Sequence, residues 1–196
     1  MFESGRQMRI QLGAVLLATL VMSNVGFAQR KSGKEIFFLE DDQRRQWCGY
    51  SDQSEWKSAV QSLSAMIVGG VAYLKDRVSV IHVTETDESG DWAVYDEYTL
   101  DQNGRLQKLK RTINVLPGRI TEDQIFRIEN GKAIQESRSS RELGTGKPTQ
   151  FPGGNWRPDL PVITNVQAFP FWPLILDARA EILAKGKACV PVRGRR

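Results

Sequence analysis

One histidine and one aspartate are the side chains of this sequence that could act together as a general acid–base pair. His82 is the single histidine, and Asp96 lies in the next segment rich in β-forming residues. A five-residue loop, Asp87–Asp91, would place Thr86 opposite Trp92 and therefore His82 opposite Asp96. A carboxylate beside an imidazole fixes its tautomer, which suits a hydrolase-like site. The alternative is a hydrogen-bonded polar pair at the edge of the core, and we favour this structural interpretation.

No motif for a nucleophile, a cofactor or a metal accompanies this pair. The sequence has no G-x-S-x-G, phosphate-binding loop, G-x-G-x-x-G, H-E-x-x-H or acidic calcium loop with the required spacing. We therefore expect no cofactor and no metal, and we favour a protein without enzymatic activity. A hydrolase-like enzyme built around His82 and Asp96 is the alternative.

Cys48 and Cys189 are the only two cysteines. Their separation is unlike the close CxxC spacing of redox motifs, and two thiols with one histidine do not make a structural zinc site. Both cysteines follow a predicted export segment, and exported proteins fold in oxidising compartments. The sequence therefore predicts a disulfide that joins the beginning of the folded domain to its end.

Residues 1–28 have the pattern of a secretory signal peptide. Two arginines precede the apolar run 10–27, and the small-x-small sequence Gly26-Phe27-Ala28 predicts cleavage between Ala28 and Gln29. The mature chain would then be periplasmic or extracellular and would have no transmembrane segment. The alternative is an uncleaved membrane anchor, for which the apolar run is barely long enough.

The candidate pair depends on an antiparallel meander predicted over residues 78–138. Turn signals made of Gly, Asn, Asp and Pro separate its strands at 87–91, 101–104, 117–118 and 130–131. Side chains alternate along each strand, which puts His82 and Asp96 on a mainly apolar face and pairs Glu97 with Lys108 on the other. The expected fold is α+β, a curved antiparallel sheet of five to seven strands.

An amphipathic helix is predicted over 52–68 as the cover of the apolar sheet face. Asp52 followed by Glu55 is an N-terminal capping pattern, and apolar residues recur at helical spacing after it. Gly69 and Gly70 would end the helix, because glycine adopts the left-handed conformation without a steric penalty.

Residues 141–173 form a long segment rich in proline, glycine and aromatic residues. Proline cannot donate to a strand ladder, so an extended loop is expected, and its aromatic side chains predict that it wraps the sheet. A C-terminal helix is predicted over 174–185, ending at Gly186. Together these elements make residues 29–196 a single domain.

The charge balance excludes one class of function. The chain has a net charge of +4, and after residue 28 there are 25 Lys and Arg against 22 Asp and Glu. This balance does not fit a nucleic-acid-binding protein. The sequence therefore predicts an exported binding or structural accessory protein, with an apolar ligand or a protein as its partner.

Overall fold

The computed structural model describes residues 35–151 and 160–192. The predicted export segment 1–28, with its cleavage between Ala28 and Gln29, lies outside these residues. The described strands are β1 (Glu35–Asp41), β2 (Gln46–Tyr50), β3 (Ile67–Leu74), β4 (Arg77–Thr86), β5 (Trp92–Leu100), β6 (Leu106–Val115), β7 (Ile120–Glu129), β8 (Lys132–Glu142) and β9 (Lys187–Pro191). The described helices are α1 (Gln53–Leu63), α2 (Trp172–Asp177) and α3 (Arg179–Lys185), with a short 3₁₀ turn at Val166–Ala168.

The nine strands of the described residues form one antiparallel sheet. Their order is β8-β7-β6-β5-β4-β3-β1-β2-β9, so β3 to β8 lie side by side in sequence order. This part is the predicted meander, and its antiparallel pairing is confirmed. The predicted number of five to seven strands is wrong, because β1, β2 and β9 continue the same sheet beyond β3.

Residues 160–171, here called the strap, cover one side of the sheet together with α2 and α3. On this strap face the Phe171 ring stacks on Phe38 with centroids 3.9 Å apart. The Phe169 ring meets Tyr98 edge-on at 5.0 Å. All four side chains are buried, so the prediction that the aromatic-rich segment wraps the sheet is confirmed for the strap.

Helix α1 packs on the opposite side of the sheet, over β1 and β2. The predicted N-cap is confirmed, since the Glu55 amide donates to Asp52 Oδ1 at 2.8 Å. Trp56 stacks on Phe37 at 5.2 Å and donates from Nε1 to the Phe38 carbonyl at 2.9 Å. The prediction that this helix covers the apolar face of the meander is wrong, because the strap occupies that face.

Strands β4–β7 are therefore covered on one side only, and β8 at the edge of the sheet is exposed along nearly its whole length. The uncovered side, here called the open face, is mainly polar, and the register of the strands places the following side chains on it: His82, Tyr95, Glu97, Lys110, Thr112, Asn114, Thr121, Asp123, Ser139 and Arg141. A sheet with one packed and one solvated face is the usual arrangement in antiparallel proteins.

Helix α1 ends five residues earlier than the sequence predicts. Its C-cap is Ser64, in the left-handed conformation with φ of 49°. Gly69 and Gly70 belong to β3 instead. Gly69 is needed there because Phe38 of β1 lies directly over it, where a side chain would collide with the phenyl ring.

We expect Gly69→Ala to lower the free energy of unfolding by about 2–3 kcal/mol, as overpacking of a core does. A Cβ atom at this position would overlap the Phe38 ring and the backbone carbonyl of His82, and the carbonyl cannot move without breaking the sheet. Gly70→Ala is the matched control, because its Cβ would meet the mobile end of Glu35 at 3.3 Å. Urea denaturation of both variants measures the difference, and equal losses would contradict this account.

The predicted disulfide between Cys48 and Cys189 is confirmed. The two sulfur atoms are 2.06 Å apart, and the two residues are direct partners in the β2–β9 pairing. The bridge spans a sequence separation of 141 residues. It therefore fixes β9 to β2.

The predicted C-terminal helix is divided into α2 and α3 at Ala178, and the predicted end at Gly186 is confirmed. Gly186 has a φ of 86°, which glycine adopts without strain. None of the helices in the described residues is long and apolar enough to cross a membrane.

Candidate functional site

The structure does not bring His82 and Asp96 together. His82 is the direct partner of Glu97, and Asp96 is the partner of Val83. Neighbouring residues of a strand point to opposite faces, so His82 lies on the open face and Asp96 on the strap face. The predicted pairing is therefore wrong by one residue.

The shift of register has its cause in the loop between β4 and β5. The Asp87 carboxylate accepts a hydrogen bond from the Trp92 amide at 3.1 Å. This amide is therefore unavailable for pairing with Thr86, whose partner is Ala93. Burial acts to raise the pKa of Asp87. Hydrogen bonds to its carboxylate from the Ser89 hydroxyl and from backbone amides outweigh this effect, so the pKa lies below its ordinary value. This hydrogen bond within the loop makes the β4–β5 connection one residue longer than the sequence predicts, and the strand pairing shifts by the same amount.

His82 has an acidic neighbour on the open face, but the pair is loose. Its Nδ1 atom is 3.9 Å from Glu97 Oε2, too far for a hydrogen bond. The other Glu97 oxygen lies 3.4 Å from Lys110 Nζ. The predicted pair of Glu97 with Lys108 is wrong, because Lys110 is the residue opposite Glu97.

Asp96 is bound to Arg111 on the strap face. The guanidinium donates from Nε and Nη2 to the two carboxylate oxygens at 2.8 and 2.7 Å, and both side chains are at least nine-tenths buried. The Tyr98 hydroxyl also donates to Asp96 at 3.4 Å. Both oxygens are occupied by donors, so this carboxylate is not placed to accept a proton from a substrate.

Arg111 also holds the strap in place. Its Nη1 donates to the Leu160 carbonyl at 2.7 Å, and its Nη2 donates to the Pro161 carbonyl at 3.3 Å. Burial acts to lower the pKa of Arg111, but the hydrogen bonds and charge of Asp96 outweigh it and raise that pKa. The pair therefore stays charged and fixes residues 160 and 161 over β5 and β6.

A second ion pair, between a buried glutamate and a half-exposed arginine, continues this polar row on β7 and β8. Glu122 is fully buried and accepts from Arg138 Nε at 2.9 Å and from Ser140 Oγ at 3.4 Å. Gln124, also buried, donates to Glu122. The pattern that could have revealed this row is a charged or amide residue at an apolar-face position in each of the strands β5, β6 and β7.

The open face carries two short chains of hydrogen bonds on β5–β8. In the first, Thr112 Oγ1 donates to Asp123 Oδ1 at 2.8 Å, and Arg141 pairs with the same carboxylate. In the second, Thr121 Oγ1 donates to Asn114 Oδ1 at 2.9 Å, and the Asn114 amide hydrogen-bonds the hydroxyl of Tyr95. Burial raises the pKa of Tyr95, and the hydrogen bond from Asn114 lowers it in part.

A concavity of about 510 Å³ lies where these two chains meet the turn after β8. Its floor is formed by Thr112, Asn114, Thr121 and Arg141, and its wall by residues 142–146. Backbone hydrogen bonds fix that wall, among them Leu143 N to Arg119 O at 2.6 Å and Gly146 N to Glu142 O at 3.0 Å. Oriented polar side chains therefore line the concavity together with Leu143 and two glycines, and the concavity was not predicted from the sequence.

Metal ligands do not cluster in the described part of the chain, where no group of three or more His, Cys, Asp and Glu could hold an ion. The expectation that the protein needs no metal and no cofactor stays a prediction. The chain matches no protein-family model, no curated protein and no solved structure. Its function must therefore be inferred from its own surfaces.

Proposed function

We propose that this protein is an exported binding protein whose ligand is uncharged and polar and lies across the open face of β4–β8. The observation that carries this proposal is the division of the sheet into two unlike faces. The apolar strap face is covered by the chain's own strap and helices, whereas the polar open face has no cover in the described residues. The open face is therefore the broad surface that a partner can reach.

The packing of the strap argues against an apolar ligand. Phe169, Phe171 and Leu174 fill the space over the strap face, and each is at most 2% exposed. An apolar ligand would have to displace these side chains and break the bonds of Arg111 to the strap. The cost of exposing three large apolar side chains is about 1.5–3 kcal/mol for each one.

The charges of the open face favour an uncharged ligand. Glu97 is paired with Lys110, and Asp123 is paired with Arg141. Exposed pairs of this kind contribute little to stability, but within each pair the two charges offset each other. A nucleic acid or a strongly charged peptide would find no complementary field there.

The separation of His82 from Asp96 favours binding over hydrolysis. The buried carboxylate of Asp96 is held by Arg111 under the strap, and His82 is more than hydrogen-bond distance from Glu97. Hydroxyl and amide groups dominate the rest of the open face, and these groups recognise a ligand through hydrogen bonds. A protein partner that uses its neutral backbone groups would be bound by the same surface.

The proposal is tested by mapping probes on the full chain with ¹H–¹⁵N NMR spectra. Three probes are compared: 1-anilinonaphthalene-8-sulfonate, a neutral peptide of Gly, Ser and Asn, and neutral oligosaccharides. We expect shifts on the open face with a neutral polar probe, and we expect Thr112→Arg to abolish them. Gln61→Arg, which adds the same charge on exposed α1, should leave them unchanged. Shifts beneath the strap with the apolar probe, and none on the open face, would overturn the proposal.

A further inference from the structure

We infer that the concavity beside Tyr95 is a subsite for a carbohydrate chain, formed by Thr112, Asn114, Thr121 and the turn 142–146. This inference rests on the proposed function and names the chemical class of its ligand. The volume of about 510 Å³ lies within the range of about 300–1,000 Å³ that small-molecule sites occupy. The concavity is open to solvent on the same side as the rest of the open face.

The polar groups of the concavity match the hydroxyl groups of a sugar. A sugar hydroxyl both donates and accepts, and so do the side chains of Thr112, Asn114, Thr121 and Thr145. Three of them are already oriented by hydrogen bonds to one another or to Asp123. Such groups lose little rotamer freedom when a ligand binds, which favours affinity.

The charges around the concavity disfavour an anionic ligand. The Arg141 guanidinium is paired with Asp123, so it does not present an uncompensated positive charge to an anion. Glu142 at the wall accepts a hydrogen bond from Thr145 Oγ1 at 2.7 Å and would repel a carboxylate or phosphate. A neutral polyhydroxylated ligand does not meet this repulsion.

Tyr95 is a half-buried aromatic residue next to these polar groups. It is the direct partner of Thr112 across β5 and β6, on the same face. The carbon-bound hydrogens of a pyranose ring pack against an aromatic face, while its hydroxyl groups point outward to hydrogen-bonding side chains.

The turn 142–146 leaves room for a ligand to reach the backbone. Gly144 and Gly146 have φ angles of 97° and 71°, and around each of them the space for a side chain is empty. A sugar can therefore approach the peptide groups of this wall as closely as a water molecule. Glycine is suited to such close approach between backbone and ligand.

The test is a titration of the full chain with maltohexaose, cellohexaose and N-acetylchitohexaose at millimolar concentration, followed by NMR spectra. We expect at least one of them to shift the amides of Tyr95, Asn114, Thr121 and residues 141–146. Asn114→Ala and Thr145→Ala should each weaken that affinity about five- to tenfold, the effect of one lost hydrogen bond. Thr145 is exposed, so its variant tests the site without disturbing the sheet.

Thr99→Val is the matched control, because Thr99 lies on the open face of β5 away from the concavity. This variant should bind the sugars with the affinity of the unaltered chain. Shifts that lie outside the concavity, affinities unaffected by both alanine variants, or no binding of any of the three sugars would overturn the inference. If the neutral peptide binds the open face while no sugar does, the carbohydrate assignment fails and the proposed function stands. If neither the neutral peptide nor a sugar binds the open face and the apolar probe enters beneath the strap, the carbohydrate assignment and the proposed function both fail.

Discussion

Replacing Arg111 with methionine should lower the free energy of unfolding by about 3–5 kcal/mol, because it leaves a buried carboxylate without its partner. Asp96 is 10% exposed and receives two hydrogen bonds from the guanidinium. The same substitution removes the donors to the carbonyls of Leu160 and Pro161. The strap should then exchange its amide hydrogens faster, which hydrogen-exchange mass spectrometry can measure beside urea denaturation.

Two further variants separate the buried pair from a general effect of charge removal. Lys110→Met deletes the neighbouring cation, whose side chain is 58% exposed, and should cost less than about 1 kcal/mol. In Asp96→Leu/Arg111→Met no buried charge is left alone, so the loss should be smaller than in Arg111→Met. The account is wrong if Arg111→Met and Lys110→Met are equally stable.

Removal of the disulfide is expected to have an effect of similar size. In Cys48→Ala/Cys189→Ala the unfolded chain regains the freedom of a loop of 141 residues. The chain-entropy treatment gives about 5 kcal/mol for a loop of this length, and measured values are often nearer 3 kcal/mol. Urea denaturation of the oxidised protein and of the double variant gives the difference directly.

A reducing agent provides the control for this prediction. Dithiothreitol should shift the unfolding midpoint of the unaltered chain toward that of the double variant, and it should leave the double variant unchanged. The slope of the urea transition reports the surface exposed on unfolding. It should be smaller for the oxidised chain than for the reduced one, because the bridge keeps the unfolded chain more compact. An unaltered midpoint after reduction would show that the bridge does not stabilise the fold.

Local signals in the sequence predicted the local features of the fold. The capping pattern at Asp52 and the left-handed glycine at Gly186 are both found where they were expected. The cysteine pair could be predicted because export was expected and two cysteines leave only one possible connectivity. These features depend on a few neighbouring residues or on simple arithmetic, so tertiary packing does not override them.

Register and packing could not be predicted in the same way. The position of His82 depended on the conformation of the loop 87–91, where one side-chain hydrogen bond from Trp92 to Asp87 shifts the pairing by a residue. Gly69 lies in a strand rather than at a helix end, and the reason is Phe38, which is distant in sequence and packs over Gly69 in the sheet. Glycine ends helices and also relieves crowding in sheets, and the sequence pattern alone does not distinguish the two roles.

The candidate site shows the same limit. The sequence indicated Asp96 as a residue of interest, but its partner is Arg111 on the next strand rather than His82. Arg111 occupies an apolar-face position between Leu109 and Ile113, both of them buried, which is an unusual place for a charge. The concavity beside Tyr95 arises from three strands and a turn, and a surface of this kind has no signature within a single stretch of sequence.

The position of β9 at the edge beside β2 has a consequence for biosynthesis. A ribosome delivers residues 160–192 after all of β1 to β8, yet these residues supply the strap, two helices and the strand that carries Cys189. Until residues 160–192 emerge, the nascent chain exposes the apolar surface around Phe38 and Tyr98, and the edge of β2 that pairs with β9 has no partner strand. The strap face is therefore covered only after residues 160–192 have been synthesised, and a chain that stops before residue 160 would be an aggregation-prone fragment rather than a smaller stable domain.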